Sequence, residues 1–165
     1  ITRDLVAAVF VGLLVLCILC GRNLLGQDGG HHLILGLGFV VTVCDIAAYF
    51  VGRRVGGPRL APAISPNKTL SGAAGGMFAA VIGSVILLQL VDAGSETRFT
   101  FAFAMCAGIV IAVLAQAGDL FESFIKRRRG VKDSGQLIPG HGGFLDRFDG
   151  YLLTLPALYI CSLAF

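Results

Sequence analysis

The densest chemistry in the chain lies between Asp119 and Asp149, a stretch of 31 residues that holds 11 of the 23 charged side chains. It opens Gly118-Asp119-Leu120-Phe121-Glu122-Ser123-Phe124-Ile125-Lys126-Arg127 and continues through Arg128, Arg129 and Lys132-Asp133. It ends His141-Gly142-Gly143-Phe144-Leu145-Asp146-Arg147-Phe148-Asp149. On a helix, Asp119 and Glu122 share a face, as do Asp146 and Asp149, because residues three apart are neighbours. Two acidic faces flanked by cations suit Mg²⁺ and a polyphosphate: carboxylate oxygens hold the hard metal, and Lys and Arg hold the phosphates. The plainer alternative is a basic loop that sets topology or attracts anionic lipid. That accounts for Lys126–Arg129 but not for carboxylates at both ends, nor for His-Gly-Gly, where glycine permits close backbone approach to a ligand.

Two further segments carry weaker signals. Ser65-Pro66-Asn67-Lys68-Thr69-Leu70-Ser71-Gly72 places four phosphate-donating side chains, Ser65, Lys68, Thr69 and Ser71, just before an apolar run. A helix N-terminus there would add backbone N–H groups and a positive dipole end. The same residues also read as an ordinary turn with Thr69 or Ser71 as N-cap, and Gly72-x-x-x-Gly76 reads as close helix packing. Asp45 interrupts an apolar stretch, where a carboxylate costs about 2.5–3.5 kcal/mol on insertion scales. It is either paired with Arg53, Arg54 or a neighbouring helix, or it faces a polar cavity as a ligand carboxylate. Cys17, Cys20, Cys44, Cys106 and Cys161 all fall in apolar runs and read as packing residues. His31 and His32 read as a solvated turn.

These groups need elements to hold them. Of the 165 residues 56% are hydrophobic and only 14% charged, with mean hydropathy +0.84. Soluble domains carry about 25% charge, so a water-soluble globule is excluded. Charge-free runs cover Leu5–Gly21, Thr69–Val91, Phe99–Gly118 and Gly150–Phe165, and Leu33–Gly52 is broken only by Asp45. A spanning helix needs about 20 apolar residues, and the runs lack the alternation of a membrane barrel. The expected fold is therefore all-α and polytopic, with about five transmembrane helices, no strands and a polar active-site loop. Five alternating spans put residues 1–4, 53–68 and 119–149 on one side with eleven of the thirteen Lys and Arg; only Arg22 and Arg98 fall opposite. By the positive-inside rule that side is cytoplasmic.

The third segment resembles a known family. Ser123-x-Ile125-Lys126-Arg127-x4-Lys132-Asp133-x-Gly135-x2-Ile138-Pro139-x-His141-Gly142-Gly143-Phe144-x-Asp146-Arg147-Phe148-Asp149 is similar to the full signature of the phosphatidate cytidylyltransferases, also called CDP-diacylglycerol synthases. The likeness extends upstream through Gly118-Asp119-Leu120, the Ser65–Gly72 loop and Asp45-x-x-Ala48-Tyr49-Phe50-x-Gly52. It covers most of the chain. Members usually carry further N-terminal helices, so residues 1–165 are expected to form a single membrane-embedded catalytic domain without them.

The resemblance implies the reaction of CTP with phosphatidate to give CDP-diacylglycerol and pyrophosphate, at the cytoplasmic face of a bacterial-type inner membrane. It implies Asp119 and Asp146 as ligands of Mg²⁺, with a second cation left open. Lys68, Lys126, Arg127, Lys132 and Arg147 are then expected on the phosphates, with Ser65, Thr69, Ser71 and Ser123 as donors. His141 is left between phosphate ligand and proton carrier. Asp133 and Asp149 orient the cations or complete the metal shell, and Asp45 borders the cavity. Expected partners are CTP, phosphatidate and the bilayer, not nucleic acid, with a homodimer left open. Two rivals stand: a CTP-dependent lipid kinase of the dolichol or phytol type, and, less well supported, a transporter, for which no internal repeat is visible. A CDP-alcohol phosphotransferase is disfavoured because its spaced Asp-Gly, Ala-Arg and Asp pattern is absent.

Overall fold

The computed structural model describes residues 3–28, 30–92, 101–131 and 148–163. The order is α1 (Arg3–Leu25), α2 (Gly30–Val55), β1 (Arg59–Ala61), β2 (Ser65–Thr69), α3 (Leu70–Asp92), α4 (Phe101–Arg128) and α5 (Tyr151–Ser162). Four of the helices, α1 to α4, are long and apolar enough to cross a membrane. The fifth expected helix is shorter among the described residues: α5 is an apolar helix of 12 residues. Helix α4 also continues ten residues past its apolar run, so Asp119–Arg128 are helical.

Among the described residues strands occur as one short ribbon, which the expected all-α fold did not include. β1 and β2 pair antiparallel, Arg59 opposite Thr69 and Ala61 opposite Ser65, with an irregularity between the two pairs. This segment lies outside the apolar runs, and Pro58, Pro62 and Pro66 exclude a helix across it. The turn between the strands closes with Ile64 N–H donating to the Ala61 carbonyl at 3.0 Å, with Pro62 at its second position.

The chain divides into two compact units, Ile1–Ile34 with Ala115–Phe165, and Leu35–Leu114. In the first, α1 packs on α5. Gly21 leaves room for Leu155, the Cys17 thiol donates to the Tyr151 carbonyl at 3.5 Å, and Cys20, Leu24 and Leu152 are buried.

In the second unit α3 packs against α2 and the first half of α4 around Val40, Cys44, Ala80 and Ala112. Both contacts run through glycine. A Cβ at Gly76 would lie 2.9 Å from the Cys44 carbonyl oxygen and 3.0 Å from the Ala48 methyl; one at Gly108 would lie 2.7 Å from the Val81 Cα. The Gly72-x-x-x-Gly76 face therefore packs inside the chain, against Cys44, Ala48 and Gly52 of α2. Close approach of this kind is how membrane helices gain contact, since lipid competes equally well for apolar side chains.

Gly76→Ala and Gly108→Ala are each expected to destabilise the fold by about 1–3 kcal/mol, the usual cost of overpacking. Gly12→Ala, whose methyl meets nothing within 4 Å, is expected to leave it unchanged. Melting curves by circular dichroism in detergent compare the three.

Candidate active site

On α4, residues 119, 122, 123 and 126 follow helical spacing along one side. Asp119 and Ser123 are half-buried one turn apart, and the Ser123 hydroxyl donates to Asp119 Oδ1 at 3.4 Å. Glu122 is almost fully buried, 2% exposed, and Lys126 Nζ lies 3.5 Å from its Oε1. Lys126, expected on phosphate, thus has a carboxylate partner on its own helix. The i, i+4 spacing of Glu122 and Lys126 was the available signal for this pair. Arg127, Arg128 and Arg129 are exposed at the helix end, where cations also complement the dipole. The Arg128 guanidinium lies 4.9 Å from the centre of the Phe124 ring, a cation–π arrangement.

Asp149 comes to the same place from the other side of the loop. A Cβ at Gly118 would sit 2.6 Å from the Asp149 carbonyl oxygen, so the main chains meet one residue from Asp119. Asp149 does not lie within a helix, as its pairing with Asp146 on one face requires. It occupies a turn in which Tyr151 N–H donates to the Phe148 carbonyl and Leu152 N–H to the Asp149 carbonyl, at 3.0 and 3.2 Å. Its own Oδ1 accepts from Gly150 N–H at 2.7 Å, the short-side-chain bond that favours turns over helix interiors. Lys132, Asp133, His141, Asp146 and Arg147 lie outside the described residues. Among those described, no three His, Cys, Asp or Glu side chains gather as a metal site. Asp119 and Ser123 do bring a carboxylate and a hydroxyl oxygen together, hard donors of the kind Mg²⁺ takes.

The second set of expected residues belongs to the other unit. Ser65 and Lys68 stand half-buried on β2, with Pro66 and Asn67 exposed between them. Thr69 is the N-cap of α3, its Oγ1 accepting from Gly72 N–H at 3.1 Å, the third helical position that such caps serve. Thr69 Oγ1 and Ser71 Oγ are 3.1 Å apart, and the Ser71 hydroxyl donates to the Gly56 carbonyl. Gly56 itself sits at φ 65°, the left-handed position that glycine fills where a helix ends. Asp45 is exposed midway along α2, with Tyr49 and Arg53 at successive i+4 positions. Arg53 is bonded to Tyr49, Nη1 donating to Oη at 2.9 Å.

Lys126→Met removes the ammonium beside a buried carboxylate and is expected to destabilise by about 3 kcal/mol, the low end for a buried pair because Lys126 keeps some exposure. Adding Glu122→Gln is expected to recover part of that loss. Arg129→Met, on an exposed side chain, is expected to stay within about 0.5 kcal/mol. Thermal unfolding of the three variants in detergent is the measurement.

The sequence profile of the cytidylyltransferase family matches residues 2–165. The chain is 47% identical over 136 residues to the phosphatidate cytidylyltransferase of Brucella suis biovar 1 (strain 1330), covering 82% of this chain and 48% of that protein. It is 46% identical over 136 residues to the one from Brucella abortus biovar 1 (strain 9-941), with the same coverage of 82% and 48%. With the phosphatidate cytidylyltransferase of Staphylococcus haemolyticus (strain JCSC1435) it shares 42% identity over 134 residues, 81% of this chain and 50% of that protein. The chain spans about half the length of these relatives. With a profile match across nearly its whole length and the Ser123–Asp149 signature in place, the chain belongs to the cytidylyltransferase family.

Proposed function

We propose that this chain carries the residues with which a phosphatidate cytidylyltransferase moves the cytidylyl group of CTP onto phosphatidate, releasing pyrophosphate and forming CDP-diacylglycerol. The observation that carries the reading is the 47% identity to the Brucella suis phosphatidate cytidylyltransferase, together with the unbroken signature from Ser123 to Asp149. The setting that fits is a bacterial plasma membrane with the polar segments on the cytoplasmic side, where CTP is found; the bias of Lys and Arg toward those segments supports it.

In this reading a phosphatidate oxygen attacks the α-phosphorus of CTP and the bond to pyrophosphate breaks. Little covalent work falls to the protein, which positions the two anions and neutralises their charge. Arg127 and Lys126 at the end of α4, with Lys132 and Arg147 of the signature, are the cations this reading assigns to that charge, and Ser123 is assigned as a hydroxyl donor. Lys68 and Ser65 on β2 offer a cation and a donor to phosphate. Asp119 and Asp146 would hold Mg²⁺, which when bound supplies Lewis-acid neutralisation of phosphate oxygens. Asp133 and Asp149 would orient the cations or complete the metal shell, and His141 would offer an imidazole to phosphate or to a proton. Asp45 on α2 is read as bordering the substrate cavity.

The test is product analysis with CTP, phosphatidate and Mg²⁺, on this chain and on the protein as its gene encodes it in full. CDP-diacylglycerol with pyrophosphate, lost on adding EDTA, is the expected result. A phosphorylated lipid with CDP would instead identify a lipid kinase. Asp119→Asn is expected to lower kcat by at least about a hundredfold with insertion intact, on the scale of losing a group that stabilises transition-state charge. Gly118→Ala is expected to lower it about tenfold by pushing Asp119 away from the Asp149 turn, since small misplacements are costly in positioned reactions. Normal rates in Asp119→Asn would remove that carboxylate from the reaction.

A further inference from the structure

We propose that Thr69 and Ser71 are positioning residues: their hydroxyls form a relay that locks the Lys68-bearing ribbon to the end of α2, and neither donates to substrate phosphate. The inference rests on the reading of Lys68 as a phosphate contact and changes the expected role of its two neighbours.

Proton accounting carries it. A hydroxyl has one proton to give. Ser71 spends its proton on the Gly56 carbonyl, which can only accept. In the 3.1 Å contact between the two hydroxyls the donor is therefore Thr69. Thr69 Oγ1 in turn accepts from Gly72 N–H at 3.1 Å. The order is Gly72 N–H to Thr69, Thr69 to Ser71, Ser71 to Gly56, each hydroxyl donating once and accepting once. Phosphate oxygens offer acceptors, and no hydroxyl proton remains for them without breaking the chain.

Packing around the relay points the same way. A Cβ at Gly52 would lie 2.8 Å from Thr69 Oγ1, and one at Gly72 would lie 3.1 Å from that atom and 2.6 Å from the Ala48 carbonyl oxygen. Thr69 Oγ1 thus occupies the crossing of α2 and α3, in space that two glycines leave open. A second bond spans the same gap, Leu70 N–H donating to the Pro58 carbonyl at 2.9 Å. Residues 56–58 are tied to residues 70–71 twice, and Lys68 lies on β2 two residues before that anchor. With its backbone held this way, the lysine has only its side chain left to order on meeting phosphate.

Double-mutant cycles on the full-length protein test the relay. Thr69→Val and Ser71→Ala are each expected to lower kcat/KM for CTP about tenfold, and the double variant by no more than about twice the worse single, since a chain cut once is already cut. In a Lys68→Ala background either change is expected to cost less than about twofold, because its effect passes through Lys68. Thr69→Ser and Ser71→Thr, which keep the hydroxyls, are expected to retain activity. Multiplicative losses in the Thr69–Ser71 double, with or without Lys68, would mean two independent donors and overturn the relay. Unfolding midpoints of the same variants separate the two ideas. If Lys68→Ala leaves the KM for CTP unchanged, the phosphate reading of Lys68 fails. Less-than-additive midpoint shifts for Thr69→Val and Ser71→Ala would then still support the relay, and additive shifts would overturn it.

Discussion

Helices in a bilayer gain little by burying leucine against leucine, because lipid tails are equally apolar; they hold together through close packing and the few polar bonds that closeness permits. The contacts of both units are built on that constraint. Gly72 and Gly76 set α3 against the Cys44, Ala48 and Gly52 side of α2, and Gly108 sets α4 against the Val81 backbone. Gly118 brings the polar half of α4 against the Asp149 carbonyl. Wherever a methyl group would collide with main chain, two elements are held at a distance that no larger residue allows.

The residues proposed to carry the chemistry sit where these contacts end. Past Gly118 the α4 helix leaves its apolar run, and Asp119, Ser123 and Lys126 appear at successive turns. Past Gly52 the α2 helix ends at Gly56, and the ribbon carrying Lys68 returns to start α3. In each unit a glycine contact lies within a few residues of the charged side chains that the proposed reaction uses. Rigid support so close to a reacting group is what positioning catalysis demands, since a group that must reorganise loses its advantage. The polar bonds near these points, Ser123 to Asp119 and Thr69 to Ser71, serve orientation more than stability, as each is a single neutral or charge-assisted hydrogen bond of modest net value.

Long apolar runs, the family signature and the clustering of Lys and Arg between those runs are properties of order along the chain, and the sequence by itself determined them. Length and hydropathy are enough to make α1 to α4 spanning candidates, because a segment in hydrocarbon must satisfy its own backbone. The helical face shared by Asp119 and Glu122 follows from spacing alone. So does the packing role of Gly72-x-x-x-Gly76, though not its partner.

Tertiary structure decided what depends on who stands opposite. The near-complete burial of Glu122 and the seat of Gly118 on the Asp149 carbonyl belong to the folded chain and not to spacing along it. The sixteen charge-free residues from Gly150 to Phe165 read as a span, and the extent of helix among the described ones, Tyr151 to Ser162, comes from the fold. The clearest case is Thr69 and Ser71. Their types and place before a helix fit a phosphate site and an N-cap equally well, and only the position of the Gly56 carbonyl, fifteen residues away from Ser71, fixes where the hydroxyl protons go. A donor's role is determined by the acceptor within its reach, and reach is a property of the folded chain.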